Sequence, residues 1–167
     1  MKLYFFEKSS FHKRHNTDLM IKEALGKYTS EHSLPLYQGE IFRTALGKPY
    51  IDYPLHISVT HTDNTVIIGI DKENFGIDCE DLSRKVKMRD NIAKKFFNDK
   101  EISIIENSQD KNSAFLEIWV KKEAYAKYTG LGLSCLSECD TTELSCFEKI
   151  DNDKNLLIYI YKGTKNE

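Results

Sequence analysis

The chain lacks the cysteine spacings of a metal-binding or disulfide-rich protein. Its four cysteines stand at positions 79, 135, 139 and 146; none forms a C-x-x-C pair, and no histidine-rich segment lies near the last three. A zinc site is therefore not expected. Cysteines used in this way are typical of reduced thiols, and we expect a cytoplasmic protein.

Long apolar runs and a strong net charge are also missing. Only four apolar residues, at positions 3–6, stand between Lys2 and Glu7, too few for a secretory signal peptide. No apolar segment reaches the roughly 20 residues that cross a membrane. The net charge of −2 argues against a general nucleic-acid binder. With 167 residues, 40% of them hydrophobic, the chain can form one domain or two small lobes that share a core.

The charges that are present are unevenly distributed. Residues 84–95 contain a single acid, Asp90, among six cations: Arg84, Lys85, Lys87, Arg89, Lys94 and Lys95. This basic run could receive an acidic partner, and the alternative is a solvated helix face.

Three short apolar runs occupy the middle of the chain, at Leu55–Thr60, Thr65–Ile70 and Phe75–Glu80. Turn-forming residues separate them, which predicts an antiparallel meander. In such a meander His61 and the acids of the third strand lie toward one edge of the sheet, with the first and third strands about 10 Å apart. Within the third strand Asp78 and Glu80 point to one face, because side chains alternate along a strand.

Helical patterns flank this region. They occupy 18–28, 86–97, a short segment that starts at 98 or 99, and a longer one from 112 or 113 to about 129. Gly130 is predicted to end the last of these helices. Strands are predicted at 2–6 and Leu156–Tyr161. The overall pattern is α+β.

One helix and one strand carry the acids of a candidate site. Glu123 and Lys127 are four residues apart and share a helix face. Together with Asp78 and Glu80, Glu123 makes an oxygen-only ligand set that suits Mg²⁺ or Mn²⁺. A nearby lysine, Lys127 or Lys122, would balance phosphate charge. Taken singly, each of these patterns is more typical of a protein surface.

The motifs in combination resemble those of the 4′-phosphopantetheinyl transferases, of the surfactin-synthetase-activating type. The first motif is Phe75-Gly-Ile-Asp-Cys-Glu80. It is followed by Trp119-Val-Lys-Lys-Glu-Ala-Tyr-Ala-Lys127 and by Gly130-Leu-Gly-Leu-Ser134, and Asp78 and Glu123 are 45 positions apart. Gly47-Lys-Pro49, Thr60-His-Thr62 and Ala93-Lys-Lys-Phe-Phe97 with Glu101 are similar to further family motifs. The resemblance covers residues 40–135.

The resemblance implies an Mg²⁺-dependent enzyme of the holo-acyl-carrier-protein synthase type. Such enzymes transfer the 4′-phosphopantetheine arm of coenzyme A to a serine of an acyl or peptidyl carrier protein and release 3′,5′-ADP. Their carriers serve fatty-acid, polyketide or nonribosomal-peptide synthesis.

It also implies roles for individual residues. Glu123 and Lys127 would be catalytic, and Gly130 and Gly132 would let the backbone pass close to the pantetheine arm. The implied metal ligands are Asp78, Glu80 and Glu123, and the implied coenzyme A contacts are Lys48, Thr60, His61, Lys122 and Lys127. The acidic carrier would dock near Arg84–Lys95.

The implied fold is a single domain over 1–167, with two small pseudo-symmetric α+β lobes, about 1–74 and 75–167, and the site between them; a monomer is expected. The chain is shorter than most members at both ends. Thr60 and Thr62 replace the usual serines, and Lys13, Arg14 and His15 are candidates for the missing basic contacts to the 3′-phosphate. The alternatives are a non-catalytic protein that binds coenzyme A or a carrier, and an unrelated Mg²⁺-dependent phosphate-ester hydrolase.

Overall fold

The computed structural model describes residues 1–8, 17–87, 89–142 and 146–163. The chain divides into two compact units, Met1–Phe75 and Gly76–Glu167. Each unit contains helix and antiparallel sheet, so the predicted α+β class is confirmed. No helix among the described residues combines the length and the apolar composition needed to cross a membrane.

In its described residues, 1–8 and 17–75, the first unit has a three-stranded sheet, one α-helix and a small hairpin. Its elements are β1 (Lys2–Glu7), α1 (Thr17–Glu31), β2 (Phe42–Arg43), β3 (Pro49–Tyr50), β4 (His56–His61) and β5 (Thr65–Asp71). The sheet order is β1-β5-β4, and β2 pairs with β3. The central strand β5 is an apolar run that is buried from Val66 to Asp71. Buried side chains of α1 and of β5 belong to one hydrophobic cluster, as expected for a helix that packs its apolar face on a sheet.

The second unit is built around its longest helix. Its elements are β6 (Gly76–Asp81), α2 (Arg89–Phe96), α3 (Asp99–Asn107), α4 (Lys111–Thr129), a 3-10 helix (Gly132–Glu138), β7 (Phe147–Lys149) and β8 (Leu156–Tyr161). The sheet order is β6-β8-β7. Leu116 and Val120 of α4 pack on Leu157 and Tyr159 of β8. Another side of α4 carries Phe115 and Ile118, which pack with residues of α2 and α3.

Local sequence signals set the ends of these helices. Asn98 caps α3 in a capping box, in which its side chain accepts from the Glu101 N–H and the Glu101 carboxylate accepts from the Asn98 N–H. Asp110 caps α4 through the N–H groups of Asn112 and Ser113. Gly130 ends α4 at φ 74°, a left-handed conformation that favours glycine.

The predicted meander is wrong in its third strand. β4 and β5 pair as predicted, with Ile57 opposite Ile70, but the other neighbour of β5 is β1. β6 lies in the second sheet and pairs with β8, with Asp78 opposite Tyr159. The buried run of β8 supplies a partner from far along the chain, and this outweighs the tendency of consecutive strands to pair. The shared sheet edge inferred for His61 and Asp78 is therefore lost.

Candidate functional site

The candidate site begins with an unusually close approach of β6 to α4. A Cβ on Gly76 would overlap the backbone carbonyl oxygen of Ala124 and the backbone nitrogen of Tyr128. Only glycine permits this distance between strand and helix. Two residues further along β6, Asp78 consequently lies against the face of α4 that carries Lys127.

Asp78 and Lys127 are joined directly. Lys127 Nζ donates to Asp78 Oδ1 at 2.6 Å, and the Asp78 side chain is only 9% exposed. Charge-assisted hydrogen bonds of this length are among the strong ones in proteins. The contact joins residues 49 positions apart in the chain. It brings together two of the residues that the motifs singled out.

Glu123 lies one helical turn before Lys127 and has an unusual proton affinity. Burial and, next, the negative charge of Asp78 raise the pKa of Glu123 to about 7, while the charge of Lys127 lowers it and the charge of Glu80 makes the smallest upward contribution. A carboxylate in such surroundings holds its proton near neutral pH. Glu123 therefore has the proton affinity that suits a general base or acid at physiological pH.

Glu80 completes the acidic set and has a cationic neighbour of its own. Arg84 Nη1 donates to Glu80 Oε1 across the turn after β6. Burial raises the pKa of Glu80, while the Arg84 hydrogen bond and charge lower it and the charge of Asp78 raises it. The net shift is upward. Repulsion by Asp78 thus contributes to the raised pKa of both glutamates.

The donor chemistry of this set fits a hard divalent cation. All three candidates are carboxylates, and Lys127 and Arg84 balance their negative charge only in part. Mg²⁺ takes one or two protein carboxylates and fills its other positions with water and phosphate oxygens. In the described parts of the chain, no three His, Cys, Asp or Glu side chains are grouped closely enough to form a ready-made metal site.

The residues predicted to contact the adenosine 3′-phosphate lie in the first unit. Lys48 follows the turn of the β2–β3 hairpin; its Nζ donates to Asn74 Oδ1 at 3.3 Å, and burial lowers its pKa. Thr60 and His61 end β4, where Thr60 is buried and His61 is exposed. The alternative candidates at 13, 14 and 15 lie outside the described residues.

The basic run proposed for docking spans the turn after β6 and helix α2. Lys85, Lys87, Lys94 and Lys95 have exposed side chains, and Arg84 is engaged with Glu80. Arg89 Nε is 3.6 Å from Asp90 Oδ1. Residue 88, within the run, lies outside the described part of the chain.

Lys122 is not part of this acidic set. Its side chain is fully buried, and its Nζ lies 2.9 Å from Glu101 Oε2 and donates to the carbonyl oxygens of Leu136 and Cys139. An ammonium group with three internal partners and no exposed surface has no position left for a phosphate. The structure replaces the predicted coenzyme A contact of Lys122 with an internal one.

The partner of Lys122 is a residue that sequence reasoning missed as a chemical participant. Glu101 belongs to a helix motif in the sequence, yet in the structure it is a fully buried carboxylate. Two signals point to it. Asn98 and Glu101 have capping-box spacing, and Lys122 lies at helical spacing from the apolar residues Phe115, Ile118 and Ala126, which are buried.

Comparison with known proteins identifies the family. Residues 74–165, more than half of the chain, match the model of the 4′-phosphopantetheinyl transferase superfamily. The 4′-phosphopantetheinyl transferase gsp of Aneurinibacillus migulanus is 36% identical over 91 residues, 52% of this chain and 36% of that protein. The 4′-phosphopantetheinyl transferase Sfp of Bacillus subtilis strain 168 is 27% identical over 134 residues, 78% of this chain and 57% of that protein.

A third relative is the 4′-phosphopantetheinyl transferase HetI of Nostoc sp. strain PCC 7120, which is 31% identical over 98 residues, 57% of this chain and 41% of that protein. The chain spans between about a third and somewhat over half of the length of these curated relatives. The match covers the whole of β6, α4 and the acidic set on them. The resemblance noted in the motifs is confirmed, and the chain belongs to the 4′-phosphopantetheinyl transferase superfamily.

Proposed function

We propose that this protein transfers the 4′-phosphopantetheine arm of coenzyme A to a serine of an acyl or peptidyl carrier protein and releases 3′,5′-ADP. The observation that carries the proposal is the placement of Glu123, with a pKa of about 7, beside Asp78, Glu80 and Lys127 in a member of this superfamily. That arrangement places a proposed base, Glu123, in one site with a lysine and two further carboxylates.

Glu123 is the proposed base. It takes the proton of the carrier serine hydroxyl as the serine oxygen bonds to the phosphorus that bears the pantetheine arm. The bond from that phosphorus to the bridging oxygen breaks, and 3′,5′-ADP leaves with the negative charge. Lys127 is the proposed partner of the pyrophosphate, because its ammonium already lies at the acidic set and a fixed positive charge there stabilises the leaving group.

Asp78, Glu80 and Glu123 are the residues that would hold Mg²⁺ together with the coenzyme A pyrophosphate. When bound, the ion would supply positive charge to the phosphate oxygens. Support for this assignment comes from the all-carboxylate donor set and from its mutual repulsion, which raises the pKa of Glu123. A phosphorylated ligand would complete the coordination that the protein supplies only in part.

In the first unit, Lys48, Thr60 and His61 are the proposed contacts of the adenosine 3′-phosphate. Lys48 brings an ammonium group and His61 an exposed imidazole, both suited to a phosphate dianion. We propose that the two units serve one transferase domain, which acts as a monomer in the cytoplasm. The acidic carrier docks on the basic run at 84–95 through charge complementarity.

The test is a mass measurement on an apo carrier protein incubated with coenzyme A, Mg²⁺ and this protein. We expect the carrier mass to increase by one phosphopantetheine. Glu123→Gln and Asp78→Asn should abolish the increase. Glu117→Gln is the matched control, since Glu117 forms the same kind of i,i+4 pair with Lys121 on the same helix, at 2.9 Å, and should retain transfer.

The outcomes separate the enzyme from its alternatives. Binding of coenzyme A without any mass increase across several carriers would support a non-catalytic binding protein. Release of 3′,5′-ADP without modified carrier would point to a hydrolase. Transfer that persists in Glu123→Gln would remove Glu123 as the base while leaving the transferase assignment intact.

A further inference from the structure

A second charged pair lies inside the second unit, separate from the acidic set. Glu101 of α3 and Lys122 of α4 are both fully buried, with Lys122 Nζ 2.9 Å from Glu101 Oε2. Lys122 Nζ also lies 5.5 Å from the centre of the Phe97 ring. Two opposite charges are thus enclosed where water cannot solvate them.

Nearly every other polar contact of the pair leads to the segment that follows α4. Lys122 Nζ donates to Leu136 O at 2.9 Å and to Cys139 O. Glu101 Oε1 accepts from Thr141 N at 2.9 Å and from Thr141 Oγ1 at 2.8 Å. The remaining contact, from Asn98 N to Glu101 Oε2 at 3.0 Å, is the capping box of α3. Four hydrogen bonds therefore tie residues 136–141 to α3 and α4.

Stability alone is a weak reason for such a pair. Well-packed apolar residues in place of a buried ion pair are often as stable or more stable, because desolvation offsets much of the attraction. What apolar residues cannot supply is the set of directional bonds to the carbonyls and to Thr141. A satisfied buried network of this kind fixes geometry.

The geometry that it fixes is that of the neighbouring site. Lys122 directly precedes Glu123, so a fixed Lys122 side chain holds the rotation of α4 that presents Glu123 and Lys127 to Asp78. The segment tied down by the pair begins at Leu136, inside the 3-10 helix. That helix itself begins at Gly132, two residues after Gly130, the C-cap of α4. The pair thus restrains both the helix that carries the proposed base and the chain that follows it.

We propose that Glu101 and Lys122 are positioning residues of the transferase site: they hold α4 and residues 132–141 in the arrangement that turnover requires. The inference rests on the proposed function. A small misplacement of reacting groups lowers turnover strongly, whereas ligand binding by the first unit would be little affected. The expected signature is therefore a loss in kcat larger than any change in the KM for coenzyme A.

Three variants test this. Lys122→Met leaves the Glu101 carboxylate without its cationic partner. The double variant Lys122→Met/Glu101→Gln removes both charges and keeps similar side-chain volumes. Lys121→Met is the matched control, because the adjacent Lys121 pairs with Glu117 instead. We measure kcat and the KM for coenzyme A by carrier mass at a temperature well below each Tm. Amide hydrogen exchange of 132–141 and acrylamide quenching of Trp119, the sole tryptophan, report the local structure.

Trp119 is a suitable probe because it packs on the cluster that contains Cys135 and Leu136. In the double variant we expect Tm to exceed that of Lys122→Met, while kcat stays about 10- to 100-fold below wild type. The KM for coenzyme A should change less than kcat does, because the contacts proposed for the adenosine 3′-phosphate lie in the first unit and are retained. Exchange at 132–141 should accelerate by about tenfold or more, and Trp119 quenching should increase. Lys121→Met should match wild type in all of these readouts.

A double variant with wild-type kcat, or with wild-type exchange at 132–141, would overturn the inference. A kcat that recovers in step with Tm would do the same, because a purely structural pair predicts that behaviour. If the wild-type protein itself transfers nothing, the proposed function is wrong, and the positioning role is wrong with it. An active wild type with an unaffected double variant removes only the positioning role.

Discussion

Replacing Glu123 by glutamine should make the protein more stable at alkaline pH. The folded protein raises the pKa of Glu123 from 4.5 to about 7. Between these values the folded state binds more protons at this position than the unfolded state does. The free energy of unfolding therefore falls as pH rises through this window, being highest below 4.5 and lowest above 7. Glutamine does not titrate, so the variant does not lose this part of the free energy of unfolding.

The magnitude follows from the size of the shift. A shift of one pKa unit corresponds to about 1.4 kcal/mol, so a shift from 4.5 to about 7 corresponds to about 3 kcal/mol. Glu123 keeps part of its surface in contact with solvent, and screening there reduces the expected value to about 2 kcal/mol. For a protein of this size, about 2 kcal/mol moves Tm by roughly 4–8 °C.

The assay compares wild type and Glu123→Gln by calorimetry and urea unfolding from pH 4 to pH 8.5, with EDTA present so that no divalent cation binds the carboxylates. Titrating groups that do not interact with Glu123 cancel when the wild-type curve is subtracted from the variant curve. The difference should rise across pH 4.5–7 and then level off. A flat difference, or one that favours wild type at pH 8, would refute a raised pKa at Glu123.

Glu117→Gln provides a control of opposite sign on the same helix. Burial would raise the pKa of Glu117, but hydrogen bonds from Lys121 and Tyr159 outweigh it and hold the pKa below its usual value. A lowered pKa contributes stability that is present above about pH 4.5 and is lost on acidification. Glu117→Gln should therefore be less stable than wild type at pH 7, and this difference should shrink as the pH falls.

Three further predictions concern the fold and the two proposed ligands. Gly76→Ala should destabilise the protein by more than about 3 kcal/mol in urea unfolding, because a Cβ there overlaps the backbone of α4. Gly26→Ala is the control: a Cβ there has only Leu36 Cδ1 nearby, at 3.9 Å, so this variant should stabilise α1 by about 0.5–1 kcal/mol. His61→Ala should weaken coenzyme A binding in calorimetry more than dephospho-coenzyme A binding, and equal losses would mean that His61 does not contact the 3′-phosphate. Lys94→Glu should raise the KM for an acidic carrier, more so at low salt, whereas Lys22→Glu on α1 should not; equal effects would argue against docking at 84–95.

Local patterns predicted the elements of the fold better than their pairing. The strands at β4, β5, β6 and β8 and the end of α4 at Gly130 follow from alternation and turn chemistry near each position in the chain. The pairing of β6 with β8 joins residues about 80 positions apart. No short-range signal in the sequence distinguishes that partner from β5, so the meander was the natural but wrong choice.

In the site, too, local motifs were predictable from the sequence and long-range partners were not. The family motifs marked Asp78 and Lys127, and the structure joins them by a hydrogen bond. The prediction for Lys122 was wrong because a lysine next to Glu123 in a helix motif is expected to be exposed. Its helical spacing from Phe115 and Ile118 places it on a buried side of α4. A buried lysine needs an internal partner, and periodicity alone could have raised the question of where that partner lies.

The helix α4 contains the same short pattern, E-x-x-x-K, twice, with two different outcomes. Glu117 and Lys121 form an ordinary i,i+4 ion pair at 2.9 Å. Lys127 lies four residues after Glu123 but donates to Asp78, and burial, followed by the charge of Asp78, raises the pKa of Glu123. The pattern within the helix is identical, and the difference comes from β6, which Gly76 allows to approach the second pair. The approaching strand places the charge of Asp78 near Glu123, the proposed base. Asp78→Asn should therefore lower the pKa of Glu123 by removing one of the charges that raise it. Carboxyl NMR titration of Glu123 would measure the change, and an unaltered pKa would mean that the charge of Asp78 does not contribute to the shift.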